Sequence, residues 1–259
     1  MIVDVNVNLS RWPFRRLPGD ETPDLVAQLR KQNVAQAWAG SFDGILHKDI
    51  GGVNARLAAE CDAHGKGFLA PFGSINPKLP DWQEDVRRCA EDYRMPGIRL
   101  HPNYHGYELT DPVFAELLQL AAANRLIVQL VVSMEDMRTQ HPLMRAPPVN
   151  LSPLASVVKT RPSTRLLLLN WWPTLRGERI RPLADAGELY FDLAMVEGIE
   201  GVARLVEQLP PGRILFGSNF PLFYFESALL KVQESGLPEE SKSMLLEGNA
   251  RRILPLKAL

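Results

Sequence analysis

Four asparagines close or follow apolar runs and are the first residues to ask about chemistry. They are Asn6 and Asn8 in Ile-Val-Asp-Val-Asn-Val-Asn-Leu, Asn170 after Arg165-Leu-Leu-Leu-Leu, and Asn219 in Ile-Leu-Phe-Gly-Ser-Asn-Phe-Pro. A carboxamide donates and accepts hydrogen bonds without carrying charge, so it orients polar groups and is a weak metal ligand. In Gly97-Ile-Arg-Leu-His-Pro, Arg99 and His101 share one strand face because side chains alternate. A guanidinium can clamp a carboxylate, and an imidazole titrates near enough to neutrality to act as general acid or base. Gln129 and Ser133 share the face of Val131 in the next apolar run, and Glu135 follows its exit. Trp171 and Trp172, with Phe220, Phe223, Tyr224 and Phe225, supply aromatic walls. Such a set suits a small polar or carboxylated organic ligand. His101 and Arg99 are the catalytic candidates; Asn6, Asn8, Gln129, Asn170, Asn219 and Trp171 are the ligand-binding ones. The competing reading of Arg99 is a buried ion pair with Asp4 or Asp192, and that of the row Asp4, Asn6 and Asn8 is a hydrogen-bonded plug. His101 and His105 are four apart in what reads as a loop, a spacing that there places them on no common helix face. Glu135, Asp136, Arg138 and His141 lie in a long charged segment, read either as a lid or as a solvated loop.

These residues need elements to hold them. Apolar segments at 2–8, 35–41, 67–75, 97–101, 126–133, 165–170, 189–194 and 213–217 read as strands. In the first, alternation puts Asp4, Asn6 and Asn8 inside and Val3, Val5 and Val7 under the helices. Helix starts fall between the strands. Thr22-Pro23, Asp111-Pro112 and Ser152-Pro153 each pair a capping residue with a proline whose missing N–H costs nothing there, and Pro80-Asp81 precedes another helix. Eight alternations imply the α/β class, a (β/α)8 TIM barrel spanning 1–259 as a single domain. An open doubly wound sheet is the runner-up, without a Gly-x-Gly-x-x-Gly after the first strand to support it.

The chain's 259 residues suit one such barrel, and 46% hydrophobic residues can fill its core. With 29 basic and 30 acidic side chains the net charge is −1, which invites neither nucleic acid nor an anionic membrane. Cys61 and Cys89 lie in helical patterns and read as reduced core residues. No secretory signal or bilayer-spanning run is visible, and a cytoplasmic protein is the expectation.

Several segments together resemble the amidohydrolase superfamily, and within it the amidohydrolase-related group that contains aminocarboxymuconate-semialdehyde decarboxylase and related hydrolases. Ile2-Val-Asp-Val-Asn-Val-Asn looks like the family's first strand, normally Ile-x-Asp-x-His-x-His; Gly97-Ile-Arg-Leu-His-Pro, Leu189-Tyr-Phe-Asp-Leu and Leu215-Phe-Gly-Ser-Asn-Phe-Pro look like its fourth, seventh and eighth. Gly248-Asn-Ala-Arg-Arg-Ile-Leu resembles the closing helix, and Asp192 matches a common inward Asp. The resemblance implies metal ligands or catalytic histidines at positions held here by Asn6, Asn8, a residue on or near Val131, Asn170 and Asn219. None is an imidazole or a carboxylate. Zinc would lower the pKa of a bound water to ~7 and supply the nucleophile; with these residues the expected metal is none and the expected cofactor none. The resemblance thus implies a barrel acting without metal on a small carboxylate or lactone. Behind it stand a non-catalytic ligand-binding barrel and, last, a conventional hydrolase or decarboxylase with metal held by His101, Glu135 or His141. Dimers are common in the group, which leaves a homodimer open.

Overall fold

The computed structural model describes residues 1–256. Eight parallel strands lie in the order β1 to β8 without a crossover: β1 Ile2–Leu9, β2 Val34–Ser41, β3 Leu69–Ser74, β4 Gly97–Leu100, β5 Ile127–Val131, β6 Arg165–Leu169, β7 Leu189–Asp192 and β8 Ile214–Leu215. The seam between β8 and β1 is closed by Val5 N–H to Phe216 O at 2.9 Å and Asn8 N–H to Phe220 O at 2.9 Å. Helices follow the strands on the outside, so the expected (β/α)8 barrel is what forms.

All eight expected strands are present, each shorter than or close to its apolar run. The helix starts fall within a residue of expectation, although the capping chemistry differs. Glu21 rather than Thr22 precedes the helix Thr22–Lys31, and neither Asp111 nor the residue before Leu154–Lys159 makes a side-chain cap bond. Proline geometry alone marks these starts.

The face assignment in β1 needs correction. Register slips between Asp4, opposite Ala37, and Val7, opposite Ala39, so three steps on β1 match two on β2. The slip breaks the alternation that strand geometry otherwise imposes. Val3 and Val5 therefore pack inside with Trp38, Phe72, Leu167 and Leu215, whereas Val7 joins the outer layer with Leu25 and Leu29. At the slip, the Val5 and Val7 carbonyls accept side-chain hydrogen bonds from Gln129 and Arg99.

The barrel interior is filled. Trp38 stacks on Phe72 at 5.2 Å, and Arg99 lies beside them with no exposed surface. Room for its guanidinium comes from Gly40, where an added Cβ would meet Arg99 Cδ at 2.6 Å. Among the described residues no helix is long and apolar enough to cross a membrane. Gly40→Ala is expected to lose about 1–3 kcal/mol in urea denaturation by pushing Arg99 off its partners; wild-type stability would show that the interior has slack there.

Candidate functional site

At the C-terminal ends of the strands the polar residues form two hydrogen-bonded chains. The first starts at Arg99 on β4. Its Nη1 donates to Asn8 Oδ1 at 2.7 Å and Val7 O at 2.9 Å, Nε to Gln129 Oε1 at 2.7 Å, and Nη2 to Trp38 O at 3.2 Å. A guanidinium only donates, so the amide oxygens of Asn8 and Gln129 must face it and their nitrogens must point onward. Gln129 Nε2 reaches Val5 O at 2.8 Å; Asn8 Nδ2 reaches Asn219 Oδ1 at 3.1 Å, and Asn219 Nδ2 ends on Met134 O at 3.1 Å. Every orientation follows from the one before it.

The second chain starts at Asp192 on β7. Its carboxylate accepts Asn6 Nδ2 at 2.8 Å and the backbone N–H of Asn170 at 2.9 Å. Asn6 Nδ2 also reaches Asn170 Oδ1 at 2.9 Å, and Asn170 Nδ2 donates to Ser133 O at 2.8 Å. Asn170 and Asn219 both have positive φ, 57° and 59°, a conformation that asparagine tolerates better than most residues. Asp4 holds the seam below, accepting the Asn6 and Ser218 N–H groups and the Ser218 hydroxyl.

Arg99 thus makes no direct ion pair with Asp4 or Asp192; its donors go to neutral oxygens. Burial pulls its pKa down to about 9, against the field of Asp4 and Asp192, so the cation persists at neutral pH. Burial pushes Asp4 up to about 7 despite its Ser218 and Asn6 donors, and Asp192 up to about 7 despite Asn6 and Asn170. One cation is thereby offset by two carboxyls that titrate near neutrality.

The structure brings Asn6, Asn8, Asn170, Asn219, Arg99 and Gln129 together, as their spacing implied. Trp171 stands apart: fully buried, it packs on Phe191 at 5.1 Å and its indole N–H donates to Asp192 O. His101 and His105 are closer than a loop would place them, because Pro102–His105 is a helical turn closed by His105 N–H to His101 O at 3.0 Å. Their ring centroids are 5.9 Å apart. His105 Nε2 bonds Gly44 O at 2.9 Å, while the buried Nδ1 of His101 has no partner. Burial, then His105 and Arg99, hold His101 well below the usual imidazole pKa, which favours the neutral ring. Glu135 is buried and paired with Arg15 at 2.9 Å, and His141 stacks on Phe14. Among the described residues no three His, Cys, Asp or Glu side chains converge as a metal site, so His101, Glu135 and His141 do not form one.

Above this floor, a cavity of about 610 Å³ opens on the β5–β8 side of the mouth. Met137, Met195, Leu222, Phe223 and Tyr224 give it apolar walls; Ser133, Glu135, Glu197 and Lys231 are among its polar groups. Sequence reading anticipated Phe223, Tyr224, Ser133 and Glu135 but missed Lys231, which lies on the helix Phe225–Gln233 beyond the last strand. An outer-helix lysine carries no local signal that it faces a mouth.

Residues 10–256 match the model of the Amidohydrolase family, Amidohydro_2, and the chain belongs to that family. Its fold is similar to 5-carboxyvanillate decarboxylase from Sphingomonas paucimobilis, at 13% identity and TM-score 0.76 over 99% of each chain. It is also similar to 2,6-dihydroxybenzoate decarboxylase from Rhizobium, at 14% identity and TM-score 0.72 over 96% of this chain and 98% of that one. A third likeness is 4-oxalomesaconate hydratase from Rhodopseudomonas palustris, at 14% identity and TM-score 0.69 over 98% and 96%. No curated protein sequence matches the chain.

The divalent metal that the resemblance implies does not fit this floor. Asn8, Asn170 and Asn219 already turn their amide oxygens to N–H donors, and Asn8 faces a guanidinium that would repel a cation. Asn219→Asp is expected to cost about 1–3 kcal/mol, because it sets a carboxylate oxygen against Met134 O where an N–H now donates. Equal stability of the variant in urea denaturation would contradict the network.

Proposed function

We propose that this amidohydrolase-family barrel has exchanged the metal-dependent chemistry of the fold for metal-independent binding of a small organic ligand, carboxylated by preference, in the mouth cavity. The observation that carries this reading is the closed hydrogen-bond chain from Arg99 through Asn8 and Asn219 to Met134 O, occupying the positions that the resemblance matches to metal ligands. A site that activates water needs a charged or basic group free to act; here the amides hold one another. The decarboxylases of similar fold are named for aromatic acids, and the apolar walls of the cavity suit such a ring. Arg99, in this reading, positions Asn8 and Gln129 and leaves ligand contact to the cavity above. The free, buried cysteines Cys61 and Cys89 suit a reducing compartment, and the cytoplasm belongs to the same reading.

One observation favours a second reading, a metal-independent enzyme. The unpartnered Nδ1 of His101 is a base without an assigned proton donor, at the end of β4 where barrel enzymes place catalytic groups. Calorimetry and product analysis on a panel of small carboxylates and lactones separate the two. The proposal expects saturable binding without conversion, unchanged by excess chelator. Binding lost on chelation contradicts it, and conversion abolished by His101→Ala establishes the second reading.

A further inference from the structure

Lys231 is the one cation among the described residues lining the mouth cavity. Its Nζ donates to Ala194 O at 2.7 Å, and among the described residues it has no carboxylate within ion-pair distance. An ammonium has three donors, so two are left to aim elsewhere. The acids around it are differently placed. Glu135 is held by Arg15 at 2.9 Å and Asp136 by Arg138 at 2.6 Å, while Glu197 is exposed. Burial pulls the Lys231 pKa down, and Asp192 and Glu197 oppose that only through space. A half-buried ammonium without a counter-ion is unfavourable, and a ligand anion would relieve it.

We propose that Lys231 anchors the carboxylate of a small organic monoacid bound in this cavity, with Met137, Met195, Leu222 and Phe223 taking the carbon skeleton. The inference rests on reading the cavity as the ligand site. One cation satisfies one negative charge; a second charge on the ligand would meet Glu135, Asp136 or Glu197 on the same walls. Phosphate groups call for several converging donors, and the cavity provides a single ammonium. The preferred ligand is therefore singly charged and largely apolar.

The test is calorimetric titration of the full chain with benzoate, benzamide and phthalate. Benzoate is expected to bind at least about tenfold more tightly than benzamide or phthalate. Lys231→Met is expected to lose that preference while still binding benzamide, and Lys231→Arg to keep it. Equal binding of benzoate and benzamide by the wild type, which needs no variant to fold, overturns the anchor. So does undiminished benzoate binding by Lys231→Met. A wild type that binds none of the three overturns the cavity reading itself, and the anchor with it.

Discussion

A fully buried guanidinium imposes the central constraint on this barrel. Arg99 cannot shed its charge cheaply, and it must find acceptors in a lumen otherwise packed with Trp38, Phe72 and leucines. It finds four: two backbone carbonyls and two amide oxygens. The carbonyl of Val7 is within its reach beside the register slip in β1, and Gly40 leaves out the Cβ that would occupy its place. Asn8 and Gln129 must then present oxygen inward and nitrogen outward, which fixes Asn219 in turn. Removing any member strands a buried donor or acceptor, so the network holds or fails as a unit.

That constraint accounts for the chemistry the mouth does and does not offer. An imidazole in place of Asn8 would have to accept from Arg99 and donate to position 219 in the amide's geometry. A carboxylate in place of Asn219 would face Met134 O with no proton to give. Asn8 and Asn219, where the resemblance implies metal ligands, are here uncharged links in the chain that runs from Arg99 to Met134 O. Two carboxyls, Asp4 and Asp192, balance the guanidinium from a distance, each raised toward neutrality by its burial. The polar floor is tied up in its own hydrogen bonds, and the proposed function therefore leaves ligand contact to the cavity and Lys231.

The barrel itself was legible in the sequence, because eight apolar runs alternate with helical patterns and prolines mark several helix starts. The convergence of Asn6, Asn8, Asn170 and Asn219 was legible too, since residues at the ends of parallel strands share one end of a barrel. The inside and outside of β1 were not. A register slip depends on pairing with β2 and on closure with β8, both distant in sequence, so local alternation alone puts Val3 and Val5 on the wrong face. The Arg99 partners were equally hidden: charge suggested Asp4 or Asp192, but reach and geometry select carbonyls and carboxamides. The approach of His101 to His105 was hidden because one helical turn is too short to leave a periodic signal. Lys231 required the tertiary packing of the last helix.

The most direct measurement is elemental analysis of protein purified without chelator and again after incubation with Zn²⁺ and Mn²⁺. No more than trace metal is expected in either sample, because the amide oxygens of Asn8, Asn170 and Asn219 are already committed to N–H donors. Stoichiometric metal that survives dialysis would contradict it and return the chain to metal-dependent chemistry.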